Sequence, residues 1–152
     1  MNDAPSGPAF DRNRMTGRAF LEARIAGKGA APLGELLGLI LVEVGDGFAV
    51  FEATPKPEHY NPAGVVHGGW MASILDSALG CAIHSRLGPG VGYGTVELKV
   101  NFVRAMTEKT GLVRCRGDVV HMGRRLATSE GRLVDASGRL YAHGSCTCMI
   151  YE

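Results

Sequence analysis

The sequence predicts an α+β fold, in which one buried helix is wrapped by an antiparallel sheet of about six strands. Three observations point there. Residues 67–87 read as one long helix carrying apolar and small side chains on every side, the mark of a helix inside a core. Two strand-like runs precede that helix and four follow it, and a lone long helix among so many strands is best sheltered if the sheet curls around it. The 22 glycines are mostly scattered at turn-like positions and not gathered in a low-complexity tract, which signals many short connections.

The elements follow in order. Residues 1–9 read as a disordered tail, and residues 10–152 as a single domain. Residues 10–25 form an amphipathic helix with Met15, Ala19, Leu21 and Ile25 as apolar points, weakened by Gly17. A Gly-, Ala- and Pro-rich loop spans 26–33. Apolar runs at 36–44 and 48–54 flank Gly45-Asp46-Gly47 and read as a hairpin, ended by Pro55 and Pro57. Residues 56–66 should be an ordered loop. The long helix carries Trp70, Met71, Ile74, Leu75, Ala78, Leu79, Ala82 and Ile83, and Gly88-Pro89-Gly90 stops it. Strands are expected at 94–104, 111–121, 125–134 and 140–151. In the first of them Val96, Leu98, Val100 and Phe102 alternate with Glu97, Lys99 and Asn101, a half-buried antiparallel pattern.

Composition narrows the function classes. Sixteen basic and fifteen acidic side chains leave a net charge of +1, so no global field draws the protein to nucleic acid or to a membrane. Nothing near the start resembles a signal peptide and no run approaches a membrane span, which leads us to expect a cytoplasmic protein. Cys81, Cys115, Cys146 and Cys148 read as reduced thiols. Cys146 and Cys148 share one strand face, and His143 beside them completes no zinc spacing, so no metal site is expected.

Asp76 is the clearest anomaly, because a carboxylate in an apolar helix is costly unless paired or used. It could serve chemistry, or it could pair with an arginine from a strand. His67-Gly68-Gly69 opens the same helix, where the first N–H groups lack partners and the dipole is positive. A developing oxyanion would fit there, although a glycine pair could also simply permit tight packing. Asn61, in Asn61-Pro62-Ala63-Gly64, could donate its amide to a carbonyl or hold a water, or form a plain Asx turn. Gly68 and Asp76 are separated by eight residues, or about 12 Å of helix, whereas a base and an oxyanion donor must each lie about 3 Å from one reacting centre. If they cooperate, they do so across a two-fold dimer, with two shared sites. Arg104 closes one strand and His121-Met122-Gly123-Arg124-Arg125 joins two others. These residues could hold the phosphates of a nucleotide-bearing substrate, or be solvated turn residues. Trp70 and Met71 could line a substrate pocket or belong to the core.

Read together, Asn61-Pro62-x-Gly64-x-x-His67-Gly68-Gly69 followed by Asp76 resembles the hotdog-fold acyl-CoA thioesterases of the phenylacetate-degradation (PaaI-like) type. The likeness runs from about residue 36 to residue 150, through Thr95-Val96-Glu97-Leu98-Lys99-Val100-Asn101-Phe102-Val103-Arg104. It implies a hotdog fold paired into a homodimer, often a homotetramer, acting on acyl-CoA. By position, Asp76 resembles the acid that is nucleophile or general base, and Gly68 the backbone donor to the thioester oxygen. Asn61 and His67 resemble residues that hold the carbonyl and the water from the other subunit, and Thr95 sits where the family often has a Ser or Thr near the attacking water. Segments 102–107 and 121–126, with Arg104, His121, Gly123, Arg124 and Arg125, match the coenzyme A contacts, while Ala105-Met106 stands where the family often has Pro. The implied reaction converts an aryl- or short- to medium-chain acyl-CoA to free acid and coenzyme A. No metal or redox cofactor is implied, since coenzyme A is part of the substrate.

Two other readings compete. A hotdog dehydratase or hydratase acting on acyl thioesters would resemble Asp-x-Asn-Pro-x-His, but the loop here is His59-Tyr60-Asn61-Pro62-Ala63-Gly64, with no Asp before the Asn. A non-catalytic acyl-CoA binding protein would be expected to lack the acid and to carry a fused DNA-binding domain.

Overall fold

The computed structural model describes residues 12–27 and 29–151. The expected tail and the first residues of the expected N-terminal helix lie outside the described residues. Helix α1 spans Gly17–Gly27. The Thr16 hydroxyl accepts from the Ala19 N–H at 3.2 Å, as an N-cap does. Gly17 is therefore not a flaw inside a helix. It is buried at the helix start, and a Cβ there would overlap the backbone carbonyl of His84, so glycine is what lets the two helices touch.

Residues 32–39 correct the expected loop end and strand start. Helix α2 spans Pro32–Leu37, with Pro in its first turn and Gly38 at φ 69° closing it. Strand β1 (Ile40–Gly45) begins only after that turn. Apolar Leu36 and Leu37 read as the front of a strand because they merge with the run behind them. The Pro-to-Gly frame around them is the helix signal. Strand β2 (Phe48–Ala53) completes the hairpin, with Gly47 at φ 77° in its turn. Helix α3 spans Gly68–His84, and strands β3 (Gly92–Phe102), β4 (Val113–Met122), β5 (Leu126–Asp135) and β6 (Leu140–Tyr151) follow, close to expectation.

The six strands form one antiparallel sheet in the order β1-β2-β4-β5-β6-β3, and α3 lies in its concave face. This is the α+β hotdog arrangement. Ile74, Leu75, Ala78, Leu79 and Ile83 are wholly buried against Val113, Cys115, Ala127, Leu133, Ala142 and Cys148. Each large aliphatic side chain removed from water in this way contributes about 1.5–3 kcal/mol. Not every glycine marks a turn: Gly117, Gly131 and Gly144 pair in a row across β4, β5 and β6. A Cβ at Gly117 would sit 2.6 Å from the Ala78 carbonyl oxygen, and one at Gly131 would sit 3.1 Å from Leu79 Cδ2. The missing side chains let the sheet close on the helix.

Strand β3 is an edge, and its alternation is broken. A bulge between Thr95 and Glu97 leaves Val96 55% exposed, while Leu98 and Val100 still pack on the core. Strict alternation groups Thr95 with Glu97 and Lys99 on the polar face. The bulge turns Thr95 to the helix side instead.

At the far end of α3, the buried His84 ring lies between Phe20 at 5.5 Å and Tyr93 at 5.0 Å. Burial, aided by the positive charge of Arg12, pushes its pKa down from 6.5 to about 4. The unfolded chain takes up that proton near 6.5 and the folded chain only near 4. Unfolding therefore gains protons in that window, and stability that is complete above it falls as pH drops, by up to about 3 kcal/mol. The urea midpoint should fall between pH 7 and pH 4.5, and His84→Gln should flatten that fall. An unchanged pH dependence in the variant would exclude His84 as its source.

Candidate active site

The loop before α3 is built from backbone turns and one histidine that the sequence reading passed over. Asn61 Oδ1 accepts from the N–H groups of Ala63 at 2.9 Å and Val65 at 3.4 Å, and Gly64 turns the chain at φ 80°. The Asx turn thus uses the side-chain oxygen of Asn61, and its NH2 is left as the group to offer a ligand. Buried His59 accepts from the Lys56 N–H through Nδ1 at 3.0 Å and stacks on Trp70 at 5.1 Å. Its pKa is held down chiefly by burial. The His59 carbonyl accepts from the His67 N–H at 2.8 Å, and the Met106 carbonyl from the Val66 N–H at 2.9 Å, which pins the loop to the fold. Polar residues in a turn-rich loop gave no reason to single out His59 as an anchor. Its spacing from Trp70, on a different element, is visible only in three dimensions.

His67 caps α3. Its Nδ1 accepts from the Gly69 N–H at 2.8 Å, so in the neutral ring the proton sits on Nε2, which can donate. A Cβ at position 69 would lie 2.9 Å from that Nδ1, and this explains the second glycine. The Gly68 N–H has no partner among the described residues. It is therefore available to an acceptor at the positive end of the helix.

Asp76 is half-buried and not wholly enclosed, and its partner is not an arginine. Thr95 donates its hydroxyl to Asp76 Oδ1 at 2.9 Å. Behind Thr95, Cys148 Sγ lies 3.8 Å from its oxygen and 3.8 Å from Cys146 Sγ, and all four cysteines are free thiols. With one carboxylate oxygen held by Thr95, the other is left to a reactant.

The structure brings together two pairs, not one constellation. Helix α3 runs antiparallel to β3, so Gly68 packs by the Phe102 ring while Asp76 meets Thr95. His67 and Gly68 stand at the start of α3, after the loop that carries Asn61. Asp76 and Thr95 stand together about 12 Å further along the same continuous helix. The basic residues also separate. The Arg104 N–H reaches the Tyr141 carbonyl, and the Arg125 carbonyl accepts from Ile150, at opposite ends of β6. Nine residues of strand put these roughly 30 Å apart. His121, Arg124 and Arg125 are exposed around the β4–β5 turn, with Gly123 in it. Trp70 is 4% exposed and donates its indole N–H to the Leu37 carbonyl at 3.0 Å, which makes it a core residue. Among the described residues no three His, Cys, Asp or Glu side chains gather as a metal-ligand set, and no helix is long and apolar enough to cross a membrane.

A helix inside a curved antiparallel sheet, with an acid at its middle and an open N–H at its start, offers the two groups that thioester hydrolysis needs. The family model described as Thioesterase superfamily matches residues 63–142, and the chain belongs to that superfamily. A 1,4-dihydroxy-2-naphthoyl-CoA hydrolase of Listeria monocytogenes is 24% identical over 119 residues, which cover 78% of this chain and 94% of that one. A conserved protein of Pseudomonas aeruginosa is 34% identical, with a TM-score of 0.75 over 80% of this chain and 95% of its own. The phenylacetic acid degradation protein PaaI of Thermus thermophilus is 28% identical, with a TM-score of 0.71 over 78% of this chain and 98% of its own.

Proposed function

We propose that the protein is an acyl-CoA thioesterase that releases free acid and coenzyme A from aryl- or short- to medium-chain esters, at sites shared across a homodimer. One observation carries the reading. An acid oriented by Thr95 and an unpaired Gly68 N–H sit on one rigid helix, too far apart to meet one carbonyl. An antiparallel pairing of β3 edges centred near Leu98 would bring the partner's Phe102 end, with Gly68, beside Thr95 and Asp76. The exposed Val96, Phe102 and Val103 support that edge as a contact surface. Gly68 and His67 of one subunit would then polarise the thioester carbonyl, with Asn61 placing the water or carbonyl. Asp76 of the other subunit would attack that carbonyl or take the proton of the water. The reading asks for no metal or redox cofactor, and it fits a cytoplasmic enzyme and further pairing of dimers into a tetramer. The similarity to a naphthoyl-CoA hydrolase supports the coenzyme A ester class.

The same two-fold would place Arg104 of one subunit near the Arg124–Arg125 turn of the other, where both could meet the phosphates of coenzyme A. Arg104→Ala combined with Arg124→Ala should raise KM with little change in kcat, because phosphates are bound alike in ground and transition states. The effect should be larger for coenzyme A esters than for a truncated thioester lacking the nucleotide. Equal effects on both would make these arginines solvated surface charges.

The function is tested by following free thiol from phenylacetyl-, hexanoyl- and 1,4-dihydroxy-2-naphthoyl-CoA. Stoichiometric thiol and free acid are expected from at least one. Hydration of an enoyl-CoA with the thioester left intact would assign the hydratase reading, and binding without turnover would assign a non-catalytic acyl-CoA binder.

A further inference from the structure

We propose that the cavity between α1, α2, β1 and α3 receives the far end of the acyl group, and that Arg24 there selects acyl groups ending in an anionic oxygen. This rests on the thioesterase reading and names the substrate class of that site. The cavity holds about 610 Å³ and is walled by apolar side chains, among them Leu21, Ile25, Leu39 and Phe51. That volume suits a small-molecule group and not a few waters. Among the described residues its polar side chains are Arg24 and Ser77.

Ser77 ties the cavity to the active site. It follows Asp76 on α3, and its hydroxyl is donated to the Ser73 carbonyl at 2.8 Å, so it presents a small wall with no free donor. Asp76 and Ser77 are both half-buried and lie about 100° apart around α3, so an acyl chain reaching the cavity from Asp76 would cross the helix over Ser77. Arg24 stands at the other side. No carboxylate pairs with it among the described residues, and its recorded ring neighbour is Phe20, whose centroid lies 5.9 Å from the guanidinium carbon. Arg24 and Ser77 line the same cavity, and the positive charge of Arg24 also acts on the Cys81 thiol, one turn beyond Ser77 on α3. A guanidinium without a carboxylate, beside an apolar chamber, matches a ligand with an apolar body and an anionic tip.

Suberoyl-CoA and octanoyl-CoA have acyl chains of one length and differ at the terminal carboxylate. The wild type should favour suberoyl-CoA in kcat/KM, and Arg24→Met should lower the suberoyl-to-octanoyl ratio at least tenfold. An unchanged ratio overturns the proposal. Calorimetric binding of free octanoate and its uncharged counterpart octanamide separates this from failure of the thioesterase reading, since it needs no turnover. Octanoate should bind more tightly than octanamide, Arg24→Met should erase the difference, and Ala30→Trp should weaken both by filling the cavity. Equal binding of the two by the wild type overturns the assignment of Arg24, whether or not the esters are hydrolysed.

Discussion

Asp76→Asn is expected to lower kcat for acyl-CoA hydrolysis by about 10²–10³-fold, with circular dichroism and the unfolding midpoint almost unchanged. The amide keeps the shape of the carboxylate and can still accept the Thr95 hydroxyl, so the fold has little to lose. What disappears is the anion that attacks the carbonyl or takes the proton from water. Thr95→Val removes only the orienting bond, and a smaller loss, of about tenfold, should follow, with Thr95→Ser retaining most activity. Normal turnover in Asp76→Asn would remove Asp76 from the chemistry and leave its bond to Thr95 as a structural one.

Gly68→Pro should reduce kcat by a similar factor, about 10²–10³-fold, through a different cause. Proline at the first helical position is well tolerated, because the N–H it lacks has no helical partner. His67, at φ −61° and ψ 135°, already holds the extended conformation that a residue before proline prefers. The substitution therefore deletes the proposed donor while the helix start remains. Gly68→Ala is the control, since it adds a Cβ 3.1 Å from the exposed Phe102 ring yet keeps the N–H. A large loss in the proline variant alone assigns the oxyanion contact to that N–H. Equal losses in both would point to crowding against Phe102.

Much of this arrangement is legible in the sequence where the pattern is local. The long helix declares itself through apolar side chains all round and a Gly-Pro-Gly stop. Asp76, Gly68, His67 and Asn61 stand out because each residue type is unusual, or chemically capable, at its own position. What the sequence conceals depends on pairing. Helix α2 hides because Leu36 and Leu37 run on into a strand. Thr95 reads as polar-face until a bulge reverses it, and only the family likeness marked it. Gly117, Gly131 and Gly144 lie far apart in the chain and form a row only once strand register is known. Arg104 and Arg125 look like parts of one basic patch, and the length of β6 separates them.

Subunit mixing tests the shared site most directly. Asp76→Ala and His67→Ala chains, each first assayed alone to establish that it has lost activity, are unfolded together, refolded at equal amounts and assayed for thiol release from an accepted acyl-CoA. If each site joins His67 and Gly68 of one subunit to Asp76 of the other, half of the random dimers are mixed and each carries one intact site. The mixture should therefore regain about a quarter of wild-type activity. No regain in a mixture shown to contain mixed dimers, or full activity in a wild-type monomer isolated by light scattering, would contradict a site built from two chains.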